Sequence, residues 1–290
     1  MPNSSGKTSI AYSLCAQAQK QYPEKLILFI DAEHAADLYY MEQFGINTDS
    51  DHLIFVQPDS IEQSFNIMLE YAATGLFSLI ILDSIGGSAT EDILAKGVDE
   101  LTMGSLAKKM STGLTKLKNI LSQTDTLLYM TNQIYAKMSL YGGNETKGGQ
   151  AAKFYSSIRL EISKRDLVAD EDDKEVIKGQ VLKWKVVKNK VGQPYQEGET
   201  TLIFGQGFDQ FVEIVELSIK KGWINQGGAW FSFLTKDNKE MKFQGKHRLI
   251  DYFRNSPEDF EYYKERVLES LKKQPKIELP KDLETTSESE

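Results

Sequence analysis

The sequence predicts an α/β fold, with a mostly parallel, twisted sheet flanked by helices and a small C-terminal α/β domain behind it. Three observations carry this. The string "SSGKTS" at residues 4–9 has the form of the second half of a phosphate-binding loop, a device that sits between a strand and a helix. Two continuous apolar runs, "KLILFIDAEHA" and "LFSLIILDS", end in acids as buried parallel strands do. Segments of helical spacing separate these runs, which is the alternation of a parallel sheet with crossover helices.

Each element follows in order. After the loop, Ile10, Leu14 and Ala18 fall on one side of a helix, with Ala11 and Cys15 beside them. "KLILFIDAEHA" is the first buried strand. "IEQSFNIMLEYAAT" is helical and stops at Gly75. "LFSLIILDS" is a second buried strand, Leu106 to Leu121 is helical, and "TLLYMTNQ" is a further strand with polar residues at its end. After Gln133 the stretch "YAKMSLYGGNETKGGQ" is glycine-rich and polar, a loop of the length that usually carries function. Beyond it "IRLEI" alternates, and Leu182, Trp184 and Val186 alternate with Lys183 and Lys185, so these strands are covered on one face. The division expected is a core over 1–208, a small α/β domain over 209–274 and an acidic, disordered tail over 275–290.

Composition narrows the class. A net charge of −8 argues against a general polyanion-binding surface and leaves nucleic acid to local clusters. A single cysteine, Cys15, permits no internal disulfide, which suits a reducing compartment. The apolar runs are too short to span a bilayer, and residues 1–20 show no secretory pattern. The expectation is a cytoplasmic protein with no membrane partner.

The loop chemistry is specific. Gly6 lets backbone N–H groups curl around phosphate oxygens, and the following helix N-terminus adds favourable partial charge. Ser4, Ser5 and Ser9 complete the loop around the nucleotide. Lys7 should reach the β- and γ-phosphates, and Thr8 should ligate Mg²⁺. Asp83, at the end of "LIILD", stands where an acid holds the magnesium shell. Glu33 could polarise a water for attack on the γ-phosphate of ATP. Asp31 would share its face if the strand continues, and either acid is also readable as structural. Gln133, at the end of "LLYMTNQ", is placed to sense the γ-phosphate and pass its presence into the glycine-rich loop.

At this point "PNSSGKTS", "FIDAEHA", "LIILDS", "TNQI", "GGQAAKFYSSIRLEI" and "KVVKNKVGQP" occur in the order and spacing of another group of proteins. The chain resembles bacterial and phage RecA-type recombinases from residue 1 to about 272, with "GGAWFSF" similar to their C-terminal domain. The resemblance implies a P-loop ATPase that binds single-stranded DNA as a helical filament and promotes pairing and strand exchange with homologous duplex DNA. It gives Glu33 the role of activating the attacking water and Gln133 that of coupling nucleotide to DNA, and it sets Asp37 and Tyr40 against the adenine. It makes Lys188 and Lys190 reach the neighbour's nucleotide and puts Lys153 and Phe154 in the subunit interface. The segments from Glu91 to Thr102 and from Ile134 to Gly149 match the two DNA-binding loops. Lys137, Tyr141, Asn144, Lys147, Gly148 and Gly149 lie in the second, and Lys108 and Lys109 follow the first. Basic groups suit phosphate, and an aromatic ring suits base stacking.

The start of the chain departs from that family. Met1 stands where the loop's first glycine belongs, and the strand and N-terminal elements that precede the loop in the family are not in this sequence. A vacant sheet position should expose apolar surface and unpaired backbone groups. Three expectations stay open. The sequence is a fragment, or a separate polypeptide completes it, or it is a divergent homologue that binds DNA or a partner without turning over ATP. The alternative function is a truncated, non-hydrolysing DNA-binding or filament-capping partner that docks on a full-length homologue. Poor or absent ATP turnover by this chain is the working expectation.

Overall fold

A computed structural model of the chain describes residues 5–95, 104–136, 144–168 and 177–272, with backbone alone at 135–136, 144–145, 168 and 272. A first compact unit runs to Asp209 and a second begins at Gln210. In chain order the first unit holds α1 (Lys7–Gln21), β1 (Leu26–Asp31), α2 (Leu38–Gln43), β2 (Leu53–Val56), α3 (Ile61–Ala73) and β3 (Phe77–Asp83). There follow α4 (Glu91–Leu94), α5 (Ser105–Thr124), β4 (Leu127–Met130), β5 (Ile134–Ala136), β6 (Asn144–Thr146) and α6 (Ala151–Tyr155). Three long strands and a short one complete it: β7 (Ile158–Val168), β8 (Ile177–Asn189), β9 (Glu197–Ile203) and β10 (Gly207–Phe208).

β1 to β4 form a parallel sheet in the order β2-β1-β3-β4. Every residue of β3 is buried, because helices cover both faces. On one face Leu28, Ile30, Ile80 and Leu82 pack against Phe65 and Met68 of α3 and Met110, Leu114 and Leu117 of α5. On the other, Ile27, Phe29, Leu79 and Ile81 meet Ala11, Tyr12, Cys15 and Ala16 of α1. Gly113 brings α5 close to α3, since a Cβ there would lie 2.4 Å from Phe65 Cδ1. β2 escapes the sequence reading, being short and only partly buried beyond Leu53. α3 starts where Ser60 Oγ accepts from Gln63 N at 3.1 Å, and Gly75 follows its end with φ 69°. β4 pairs with β3 and, among the described residues, with no other strand; Leu127 on it is 57 % exposed.

β7 to β10 form an antiparallel sheet in the order β10-β9-β8-β7. Its inner face sets Ile162, Leu182 and Leu202 against Ile10 of α1, so α1 packs on both sheets. On the outer face the register places Lys185 between Glu161 and Glu197, and Lys183 beside Glu199. The first half of "KWKVVKNK" is thus a row of opposite-charge cross-strand neighbours, of the kind that stabilises a solvated sheet face. β5 and β6 form a separate antiparallel pair.

The second unit holds α7 (Gln210–Lys220), β11 (Asn225–Gly227), β12 (Trp230–Leu234), β13 (Glu240–Gln244), α8 (Lys246–Asn255) and α9 (Pro257–Lys272). Its three strands are antiparallel, in the order β11-β12-β13. Phe233 lies at the centre of an aromatic cluster, with Phe253 at 5.1 Å and Tyr263 at 5.7 Å between ring centroids. Asp259 is buried and closes the unit, accepting from Lys236 N at 2.7 Å and from the Tyr252 hydroxyl at 2.5 Å. Among the described residues no helix is long and apolar enough to cross a membrane.

Candidate active site

The site grows from the C-terminal ends of β1, β3 and β4 and the N-terminus of α1. Gly6 caps α1 with φ 77°, a conformation that favours glycine. It is also sterically fixed, because a Cβ there would lie 2.6 Å from Leu182 Cδ1. Ile10 N donates to Gly6 O at 3.0 Å, which starts the helix. Ser5 is buried and accepts from Lys7 Nζ at 3.3 Å, while Ser9 sits half-buried in the first turn. Ser4 lies outside the described residues.

Thr8 ties this helix start to the sheet, its hydroxyl donating to Asp83 Oδ2 at 2.5 Å. The Thr131 hydroxyl, just past β4, donates to Asp83 Oδ1. Asp83 is buried, and burial holds its carboxyl above the ordinary range. The two threonine bonds pull the other way, while nearby Glu33 and Asp31 add to the rise. Burial, with Asp83 and Asp31 close by, likewise pushes the Tyr12 phenol up.

β1 ends at Asp31 rather than running on to Glu33, which corrects the expectation that the two acids share a face. Asp31 is 2 % exposed, whereas Glu33 is exposed in the turn that follows. The turn is built on Asp31. Its Oδ1 accepts from Glu33 N at 3.2 Å, and its Oδ2 from Ala36 N and Gln57 Nε2, both at 2.9 Å. Glu33 Oε1 then accepts from the Ser84 hydroxyl and, at 3.5 Å, from Gln133 Nε2. Gly87 leaves room for it, because a Cβ there would lie 2.5 Å from Glu33 Cγ. The sequence reading missed Ser84, Gln57, Thr131 and Gly87. Only Ser84 left a signal, as the residue next to the strand-end acid in "LDS".

Asp37 caps α2, accepting from Tyr40 N at 2.7 Å. The Tyr40 ring packs edge-on to Phe44 at 5.4 Å and Tyr12 at 6.2 Å. A glycine-capped helix start, a strand-end acid bonded to its threonine and a turn glutamate held against the next strand therefore occupy the C-terminal end of the parallel sheet. A family profile described as the RecA N-terminal domain matches residues 1–209 of this chain. The chain belongs to the RecA family. Among solved structures, the crystal structure of the RadB recombinase is similar at a TM-score of 0.52, with 15 % identity over 71 % of this chain and 86 % of that one. At that identity the likeness is one of fold.

The other residues singled out in this RecA-family chain fall in two groups. Lys108 is exposed on α5, but the Lys109 ammonium pairs with Glu62 Oε1 at 2.9 Å, which lifts its pKa. Glu62 Oε2 also accepts from Glu91 N at 3.2 Å, so this pair joins α3, α4 and α5. Lys137 and Tyr141 lie outside the described residues, as does the Asn144 side chain. Gly148 and Gly149, with φ of 77° and 71°, pass so close to Ile85 and Ala107 that a Cβ on either would meet them at 2.9 Å.

Phe154 is 73 % exposed at the end of α6, and Lys153 is half-buried beside it. Lys188 Nζ donates to the Lys153 and Phe154 carbonyls at 2.8 and 2.9 Å and so caps the end of α6. Burial, Lys190 and Arg159 hold its pKa down. Lys190 is exposed, and its backbone N–H donates to Ser157 O at 2.9 Å.

Proposed function

We propose that this chain is an ATP-dependent DNA recombination and repair protein that binds single-stranded DNA as a helical filament and promotes pairing and strand exchange with homologous duplex DNA. The observation that carries the reading is the convergence of Gly6, Thr8, Asp83, Glu33 and Gln133 at the C-terminal end of the parallel sheet. Membership of the RecA family supports it.

The donor set fits a magnesium nucleotide. Asp83 is a buried carboxylate bonded to neutral hydroxyls and raised further by two acids, a setting that a hard cation relieves. Among the described residues no three His, Cys, Asp or Glu converge to cage a metal. That suits Mg²⁺, which is commonly held by one or two protein groups together with substrate phosphates. Thr8 and Asp83 would hold the ion. Gly6, Lys7 and the first turn of α1, with Ser4, Ser5 and Ser9, would hold the phosphates, and Asp37 and Tyr40 would face the base. ATP so bound supplies the phosphoanhydride, and the ion offsets its charge.

The remaining chemistry belongs to the chain. Asp31 fixes the turn that presents Glu33. Ser84 and Gln133 both donate to Oε1, which assigns Oε2 the role of base that takes a proton from water. A change at Gln133 reaches the β5–β6 pair directly, since β5 begins at the next residue. Lys188 and Lys190 act across a subunit interface built on Lys153 and Phe154, and Lys108, Lys137, Tyr141, Asn144, Lys147, Gly148 and Gly149 meet DNA.

Hydrolysis measured with and without oligothymidylate tests the reading. Stimulated turnover together with co-sedimentation on the oligonucleotide bears the reading out and removes the expectation of poor or absent turnover. Binding without turnover removes the ATPase, and turnover indifferent to DNA removes the recombinase.

A further inference from the structure

Lys147 stands at the base of the glycine-rich segment, where the sequence suggests a contact to phosphate. The structure gives it another partner. Its Nζ donates to the Gly86 carbonyl at 2.9 Å, across 61 residues of chain. Its own carbonyl accepts from Asn132 Nδ2 at 2.8 Å, and Asn132 Oδ1 accepts from Gln133 N at 2.8 Å. One lysine thus joins the base of the β5–β6 segment, the end of β4 and the turn that follows Asp83.

That turn, Ser84 to Gly87, is the wall against which Glu33 rests. Ser84 donates to Glu33, Gly87 N donates to Ser84 O at 3.1 Å and to Ser84 Oγ at 3.2 Å, and Gly87 approaches the Glu33 side chain. Gly86 lies against Gln133, whose Cδ and Cγ would each be 3.5 Å from an added Cβ. Two glycines in succession make the turn easy to deform, so a charged donor on the Gly86 carbonyl matters more here than on a stiff element.

We propose that Lys147 is a positioning residue, a latch that fixes the Ser84–Gly87 turn against Glu33 and Gln133 and is drawn off by a DNA phosphodiester arriving at Gly148 and Gly149. A phosphodiester carries full negative charge, and a carbonyl offers only a dipole, so the exposed ammonium follows the phosphate. Release of the carbonyl frees the turn to reset Glu33. The latching half rests on geometry alone, and the release half rests on the DNA reading above.

Hydrogen–deuterium exchange of peptides spanning 84–88 tests both halves in the full chain. In the absence of DNA, Lys147→Met is expected to lower protection of the turn roughly ten-fold, the size of one hydrogen bond from a charged donor, and Lys147→Arg to restore it. Adding oligothymidylate should lower protection in the unmodified protein and change nothing further in Lys147→Met. An unaltered turn in DNA-free Lys147→Met overturns the latch, whatever the DNA result. A latch intact in the unmodified protein with oligothymidylate bound overturns the release. Failure of oligothymidylate to bind at all, shown by fluorescence anisotropy, overturns the release and the DNA reading together while leaving the latch standing.

Discussion

Two buried carboxylates, one in each unit, have opposite settings. Asp259 is 8 % exposed and accepts from a backbone N–H and a tyrosine hydroxyl within a closed aromatic core. Asp83 is 6 % exposed and accepts from two threonine hydroxyls, with Glu33 and Asp31 near enough to raise it. The first is complete within its own unit. The second is raised by burial and by two neighbouring acids against the pull of its two threonine bonds, the setting in which a cation is favourable. The contrast agrees with the proposed function, which puts the chemistry in the first unit, and with a packing role for Asp259 in the second.

Disabling the loop beside Asp83 should have the largest effect. Lys7→Ala is expected to remove nucleotide binding outright, measured by fluorescent-nucleotide titration, while the second unit keeps its stability. Retained binding would mean that the loop is vestigial. Glu33→Gln should leave binding in place and lower turnover by about 10²–10⁴, the usual worth of a general base. Equal turnover in this variant would return Glu33 to a structural role.

Smaller effects test the carboxylates themselves. Asp259→Ala removes the acceptor of the Lys236 N–H and the Tyr252 hydroxyl, and each lost bond costs about 0.5–1.5 kcal/mol, so thermal unfolding should come earlier. Asp83→Asn should act in the opposite sense in buffer free of nucleotide and magnesium. The native carboxyl is raised above its ordinary 3.8, so between that value and the native one the folded state binds more protons than the unfolded state. Wild-type stability therefore falls as pH rises through that window and stays lower above it. The variant should be a few degrees more stable at neutral pH, and the gap should close toward acid pH, where wild-type Asp83 is protonated. A gap that widens toward acid pH would refute the assignment.

Much of this was legible in the sequence, for reasons that differ by residue. β1 and β3 were readable because both of their faces are covered, which writes an unbroken apolar run ending at the site. Gly6, Lys7 and Thr8 stand out in the sequence because a phosphate-binding loop restricts residue type at fixed spacing, and the fold brings Thr8 to Asp83. The partners of the lysines were not. Lys109 meets Glu62, Lys147 meets Gly86 O and Lys188 meets the carbonyls that end α6, each a pairing between distant elements. A flexible stem ending in a point charge leaves no periodic trace of where it will land. Asp31 was half legible: its burial follows from the strand, but the turn it builds with Gln57 depends on where β1 stops.

Cys15 offers a practical handle. It is the only thiol in 290 residues, it is buried between α1 and the parallel sheet, and burial pushes its pKa up. A thiol so placed meets an alkylating reagent only when α1 lifts from the sheet. Its labelling rate is thus a built-in clock for opening of the helix that begins after Gly6, readable by mass spectrometry without altering a single residue.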